Sequence, residues 1–247
     1  MRVTSPTPAI STVSEAAPVS YELDLLVPTA RFVFSVEGEA VEVLPEHRSP
    51  EAFVAYRALR ERRPVVGMTT FPNTVLLRGP HTILVDPGLP LQNDPVLRAL
   101  EARGLSAADV DLVVLTHAHL DHAGGCAAVM APVVLHELEV SSPYWPLVGG
   151  LLDLLPVQCL SGAGGELAPG LEWALTPGHC AGHISLAADT ARGRVVLCGD
   201  TIGPGRGEFD AMAPSGPDAE ALLASWRRIR AWDPALIVAG HLPPFAP

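Results

Sequence analysis

The amino-acid sequence predicts an α/β fold in which two sheets pack on each other. Three observations carry that expectation. Short apolar runs rich in Val, Ile and Leu, bounded by Gly or Pro, read as buried strands. Helical stretches separate several of them. Four of the runs end at their carboxyl ends in residues that ligate metals, and both halves of the chain contain such runs, which fits a two-sheet sandwich.

Residues 1–19 are rich in Ser, Thr, Pro and Ala and have little to bury, so they read as a flexible tail. Residues 20–247 then form one domain. Leu23 to Val27 and Phe32 to Val36 read as edge strands. Ser49-Pro50-Glu51 marks a helix start, with proline at the first helical position, and that helix stops at Arg63 before Pro64. Strands follow near 74–78 and 82–86, then a helix near 94–103. Strand 111–115 precedes a helix over about 122–130, and Val133 to His136 is a further strand.

Residues 137–165 are less regular. Tyr144, Trp145, Leu147, Val148, Leu151, Leu152, Leu154 and Leu155 form an apolar cluster broken by Pro and Gly pairs. It reads either as core or as a lid that receives an apolar part of a substrate. The lid reading predicts that serine at Leu151 and Leu155 raises KM for apolar substrates more than for short ones. The C-terminal half supplies strands near 171–175, 184–188, 194–198 and 235–239, and a helix from Pro217 to Arg230. No solenoid-type repeat is present.

A chain of 247 residues can bury a good core without a second domain. Its formal charge of −11 argues against a large nucleic-acid partner, which needs basic surface. The local group Arg57, Arg60, Arg62 and Arg63 reads as a solvated helix face. Cys126, Cys159, Cys180 and Cys198 are scattered, so no disulfide framework is expected. No apolar stretch reaches 18 residues, so no membrane span is expected. No hydrophobic run precedes Pro6 and Pro8, so no secretory signal is expected and a cytoplasmic location follows as the default.

The chemistry concentrates in His117-Ala118-His119-Leu120-Asp121-His122, directly after Val113-Val114-Leu115-Thr116. In an extended stretch alternate side chains share a face, so His117, His119 and Asp121 can point one way while Leu120 points back. Three other apolar runs lead to His179, Asp200 and His241. Five imidazoles and two carboxylates are too many for one tetrahedral zinc, whose catalytic sites use three protein ligands and a water. They suit two ions: His117, His119 and His179 on one, and Asp121, His122 and His241 on the other. Asp200 has two oxygens and could bridge them across about 3.5–4 Å. His47, His81, His136 and His183 stay outside this set, although His183 follows His179 closely enough to orient a ligand or the substrate.

With these motifs in order, the chain resembles the metallo-beta-lactamase fold superfamily. The matching residues are Asp86-Pro87-Gly88, the 117–122 hexapeptide, Thr176-Pro177-Gly178-His179, Gly199-Asp200 and Gly240-His241, with Asn73-Thr74-Val75-Leu76-Leu77 ahead of them. The resemblance implies a four-layer αββα sandwich with the metals at one edge, and implies that Asp86 holds a ligating imidazole. His122 together with a bridging Asp200 resembles the lactonase, thioesterase (glyoxalase II-like) and phosphodiesterase branches, and the chain looks most similar to the lactonase and glyoxalase II-like one. Only six residues follow His241, so the helical substrate domain of glyoxalase II-type enzymes is not expected.

The expected activity is that of a dinuclear metal-dependent hydrolase acting on an ester, lactone or thioester. Zinc is the first expectation, with iron or manganese as alternatives. Two divalent ions, two carboxylates and a bridging hydroxide leave a centre of about +1, suited to an anionic transition state. The hydroxide attacks the acyl carbon. Asp121 carries the proton to the leaving group, and His183 is the second candidate catalytic residue. The expected partner is a small acyl substrate; a homodimer stays open. Three other readings compete: a small phosphodiesterase or nuclease, a mononuclear iron enzyme resembling persulfide dioxygenases, and a metal-bound protein without turnover.

Overall fold

Alternation along single strands sets the layering. In β5 (Thr74–Arg78), Val75 and Leu77 face one way and Leu76 the other, and all three are buried. A strand buried on both faces must lie between two apolar layers. The structure is a computed structural model that describes residues 19–35, 37–38, 40–43, 54, 58–59, 61–90, 93–201 and 218–247.

One six-stranded sheet has the order β1 (Glu22–Val27), β5, β6 (Thr82–Val85), β7 (Leu112–Val114), β8 (Val133–His136), β9 (Val157–Leu160). The strands from β6 to β9 pair in parallel. A five-stranded sheet runs β10 (Gly164–Ala168), β11 (Leu171–Leu175), β12 (Ile184–Thr190), β13 (Gly193–Gly199), β14 (Leu236–Ala239). Val75, Leu77, Ile83, Val85 and Val114 of the first sheet pack against Leu171, Trp173, Leu186, Leu197 and Val238 of the second.

The outer faces are covered by helices. Leu76, Leu84, Val113 and Leu135 pack beneath Val96 and Leu100 of α1 (Asn93–Glu101) and beneath Val148 and Leu152 of a later helix, α5 (Trp145–Leu152). Val196, Cys198, Ile237 and Ala239 pack beneath Trp226 and Ile229 of α6 (Ala219–Arg230). The layers are therefore helix, sheet, sheet, helix. Each apolar face is covered, which is the physical reason the four layers form.

Several expectations need correction. The strand expected at Phe32 to Val36 is β2 (Ala30–Ser35), and it lies in the middle of a third sheet, between β3 (Ala40–Val43) and β4 (Val65–Phe71). It is not an edge strand, because β4 pairs with its open side. β1 does lie at an edge. The helix expected over 122–130 is two short turns, α2 (Leu120–Ala123) and α3 (Cys126–Val129). Gly124 and Gly125 separate them, and a Cβ on Gly125 would come within 2.5 Å of the Pro87 carbonyl oxygen. That close approach seats the Asp86-Pro87-Gly88 turn against the metal loop.

The segment 137–165 is more regular than its composition suggests. It holds α4 (Glu137–Val140), α5, β9 and the start of β10. Val148, Leu152 and Leu155 belong to the core, while Leu147 and Leu154 are exposed. Leu155→Ser therefore tests packing rather than a lid. It should destabilise the fold by about 2–5 kcal/mol, read as a lower urea midpoint, with no selective change in KM. A selective rise in KM at unchanged stability would restore the lid function for this residue. The expected tail up to residue 18, the helix start at Ser49-Pro50-Glu51, His47, Arg57, Arg60 and Pro217 lie outside the described residues. Among the described residues no helix is long and apolar enough to cross a membrane.

Candidate metal centre

The carboxyl ends of β7, β11, β13 and β14 converge on one edge of the sandwich. Each strand is apolar until it leaves the core, and the first polar residues after it face the same cleft. His117 and His119 follow β7, with His119 at the N-terminus of α2, which carries Asp121 and His122. His179, Asp200 and His241 follow β11, β13 and β14.

The structure brings all seven of these residues together. Three groups have their donor atoms within 4.8 Å of one another: His117, His119 and His179; His117, His122 and Asp200; and Asp121, His122 and His241. His119 Nδ1 lies 3.0 Å from His179 Nε2. Asp200 sits between the outer groups: its Oδ2 is 3.5 Å from His179 Nε2 and 3.5 Å from His241 Nε2, and its Oδ1 is 3.5 Å from His122 Nε2. Asp121 Oδ2 lies 3.2 Å from His241 Nε2.

The surrounding hydrogen bonds fix which nitrogen each ring presents. Asp86 accepts from the Thr116 backbone at 2.8 Å, from Thr116 Oγ1 at 2.7 Å and from His122 Nδ1 at 2.9 Å. Thr116 Oγ1, having donated to Asp86, accepts from His117 Nδ1 at 3.0 Å. His117 and His122 thus carry a proton on Nδ1 and turn Nε2 inward. Asp86 holds φ of 49°, a left-handed conformation that an aspartate adopts more readily than most residues.

The inward atoms fit a cation. His117 Nε2, His122 Nε2 and Asp200 Oδ1 are buried without a hydrogen-bond partner among the described residues. Buried polar atoms are normally paired, so a cluster of unpaired acceptors marks a place for a positive ion. Burial, followed by the charge of His122, holds the His117 imidazole well below its ordinary range. Burial also lowers His119 and His179. Neutral rings are the ligating form. Burial opposes ionisation of Asp200, yet the adjacent His122 outweighs it and keeps the carboxyl well below its usual value. Burial would lower His122 too, but Asp200 and Asp86 raise it well above the ordinary range.

His183 lies behind the donor cluster, in contact with Asp200. It is fully buried, its Nε2 accepts the Asp200 backbone N–H at 3.0 Å, and its Nδ1 lies 3.0 Å from Thr176 Oγ1. Burial holds it neutral, with its pKa lowered to about 3. Both nitrogens are engaged with the protein, an arrangement that suits orienting Asp200. Among the other histidines outside the ligand set, His81 is at the surface near Asp111, and His136 is buried with Nε2 3.0 Å from the Gly162 carbonyl.

Two polar residues hold the ligand loops. Asn73 Nδ2 donates at 2.7 Å to both the Ala239 and Leu242 carbonyls, on either side of His241. Glu139, which sequence reasoning passed over, accepts from Ala118 and Gly182, beside the histidine ligands. An acidic residue early in a short helix ordinarily reads as solvated, and only its place three residues after a buried strand could have suggested burial.

A family model described as the metallo-beta-lactamase superfamily matches residues 68–241, which span every one of the seven donors. The chain belongs to the metallo-beta-lactamase superfamily. It is a hydrolase-type member of that superfamily. Metallo-beta-lactamase domain-containing protein 1 of Homo sapiens is 33% identical over 211 residues, 85% of this chain and 73% of that protein. An N-acyl homoserine lactonase of Bacillus cereus is 28% identical over 144 residues, 56% of this chain and 57% of the relative. A solved quorum-quenching N-acyl homoserine lactone hydrolase superposes with a TM-score of 0.61 at 22% identity, covering 91% of this chain and 93% of that one. At that identity the likeness speaks for the metallo-beta-lactamase fold alone.

Proposed function

We propose that this chain is a dinuclear, zinc-dependent hydrolase of esters, lactones or thioesters. One observation carries the reading. The three donor groups overlap through His117 and His122, and Asp200, in the middle group, lies 3.5 Å from histidines of both outer groups. A single ion would leave several of these buried donors unpaired. Histidine and carboxylate donors suit zinc.

Ions held there would supply a Lewis acid for the carbonyl and water that ionises near neutral pH. The protein supplies the rest. Asp200 and the neutral imidazoles set where negative charge is tolerated. Burial opposes ionisation of Asp121, but its bond to His241 keeps the carboxyl below its usual value. Partly open to solvent, that carboxylate can take a proton and pass it to the leaving group. Tyr144 stands edge-on to His119 at a ring-centroid distance of 4.1 Å, and Leu120 beside His119 is exposed. This apolar flank suits an acyl group better than a phosphodiester, and the charge of −11 disfavours a polyanion. The similarity to a lactonase points the same way.

A panel of lactones, thioesters, β-lactams and bis-p-nitrophenyl phosphate tests the substrate class. A lactone or thioester should turn over with a kcat/KM at least about tenfold above the phosphodiester. Turnover confined to the phosphodiester, or oxygen uptake with a persulfide and no hydrolysis, would refute the acyl assignment.

A further inference from the structure

The centre draws its ligands from separate loops, and one buried carboxylate joins two of them. Glu139 on α4 is 0% exposed. Its Oε2 accepts the Ala118 N–H at 2.7 Å, and its Oε1 accepts the Gly182 N–H at 2.9 Å. Ala118 stands between His117 and His119. Gly182 closes the turn that follows His179. The Cys180 thiol donates to the same carboxylate; burial first, and then the Glu139 charge, push that thiol up. Among the described residues, its hydrogen-bond donors are thus two amides and a thiol, not a cation. A buried anion without a cation beside it is costly unless its hydrogen bonds or a nearby positive centre compensate.

Two further features require this contact. A Cβ on Gly182 would lie 2.7 Å from both the Glu139 backbone nitrogen and Oε1, so the turn must lack a side chain to reach the carboxylate. The helix carrying Glu139 is itself anchored, because Leu138 N–H donates to His136 Nδ1 at 3.3 Å and His136 Nε2 lies 3.0 Å from the Gly162 carbonyl. Metal sites need ligands held to within about 0.5 Å, which mobile loops do not supply alone.

We propose that Glu139 is a positioning residue that locks the His117–His119 loop to the His179 loop and presets the three-histidine half of the centre before its ion arrives. The inference rests on the metal reading above. Its two oxygens are both needed: an amide at this position keeps one acceptor and turns an N–H₂ toward the other backbone N–H.

The test titrates wild type and Glu139→Gln with Zn(II) and Co(II) against a chromophoric chelator. The three-histidine ion is assigned by the Co(II) absorption band that His179→Ala abolishes. In Glu139→Gln that ion should bind about 10- to 100-fold more weakly, while the ion at Asp121, His122 and His241 changes by less than about threefold. kcat should fall with KM little changed. Unchanged binding of both ions, or equal weakening of both with a lower melting temperature, would overturn the proposal. If Glu139→Gln does not fold, hydrogen exchange on metal-stripped wild type decides. The Ala118 and Gly182 amides should exchange slowly, and rates like those of open loops would overturn it. A wild type that binds one ion refutes the dinuclear reading but not the clamp, provided that ion is the one Glu139→Gln weakens.

Discussion

Replacing Asp200 by alanine should remove metal and hydrolysis together. Among the described residues, Asp200 is the one carboxylate within 3.5 Å of histidines from both outer groups. Its backbone is pinned by His183 and its side chain fills the space that Gly240 leaves open, since a Cβ there would collide with Asp200 Oδ1. Without it the imidazoles keep their places but lose the anion that offsets two cations. We expect zinc content to fall from about two ions per chain to one or fewer, and kcat/KM to fall on the order of 10³-fold, about 4 kcal/mol of transition-state stabilisation. Elemental analysis and a lactone assay on the same sample check this. Full activity with a full metal complement would remove Asp200 from the centre.

Asp86→Asn should disable one half of the site through a proton rather than a missing ligand. Asp86 accepts from His122 Nδ1, which leaves His122 Nε2 free to ligate. An asparagine can turn its N–H₂ toward that ring, forcing His122 to accept at Nδ1 and carry its proton on Nε2, where the ion should sit. Asparagine also tolerates the left-handed backbone at this position, so the fold should persist. Affinity for the ion at Asp121, His122 and His241 should fall about 100-fold, and that of the three-histidine ion less, because Asp86 reaches His117 only through Thr116 Oγ1. Chelator competition at fixed pH measures both. Equal loss of the two ions would show that Asp86 supports the whole edge rather than one ring.

These two residues were legible in the sequence for different reasons. Asp200, like His117, His179 and His241, follows an apolar strand, and ligand-type residues in that position stand out against Val, Ile and Leu; His119, Asp121 and His122 stand out by their density in one hexapeptide. Asp86 was legible only through its motif, since nothing in its spacing shows which ring it holds. Glu139 was not legible, because its work is done on backbone amides that carry no side-chain signature. His183 drew notice because it follows His179 closely enough to orient a ligand, and its Nε2 accepts the Asp200 backbone N–H.

The fold shows the same division. Strands β5, β6, β11 and β13 were readable because both faces or one whole face are buried. β4 was missed: Val66 is 62% exposed, and Gly67 interrupts the apolar run. β9 and β10 escaped notice because residues such as Gln158, Cys159 and Glu166 face solvent. The Gly124-Gly125 break in the helix after the metal loop follows from the nearby Pro87 carbonyl, a contact made by a residue far away in sequence.

The central claim is that two ions share one carboxylate at the sandwich edge, and anomalous diffraction at the zinc edge tests it most directly. Two peaks per chain should appear about 3.5–4 Å apart, one against His117, His119 and His179 and the other against Asp121, His122 and His241, both in contact with Asp200. A single peak, or two peaks that do not share Asp200, would contradict it.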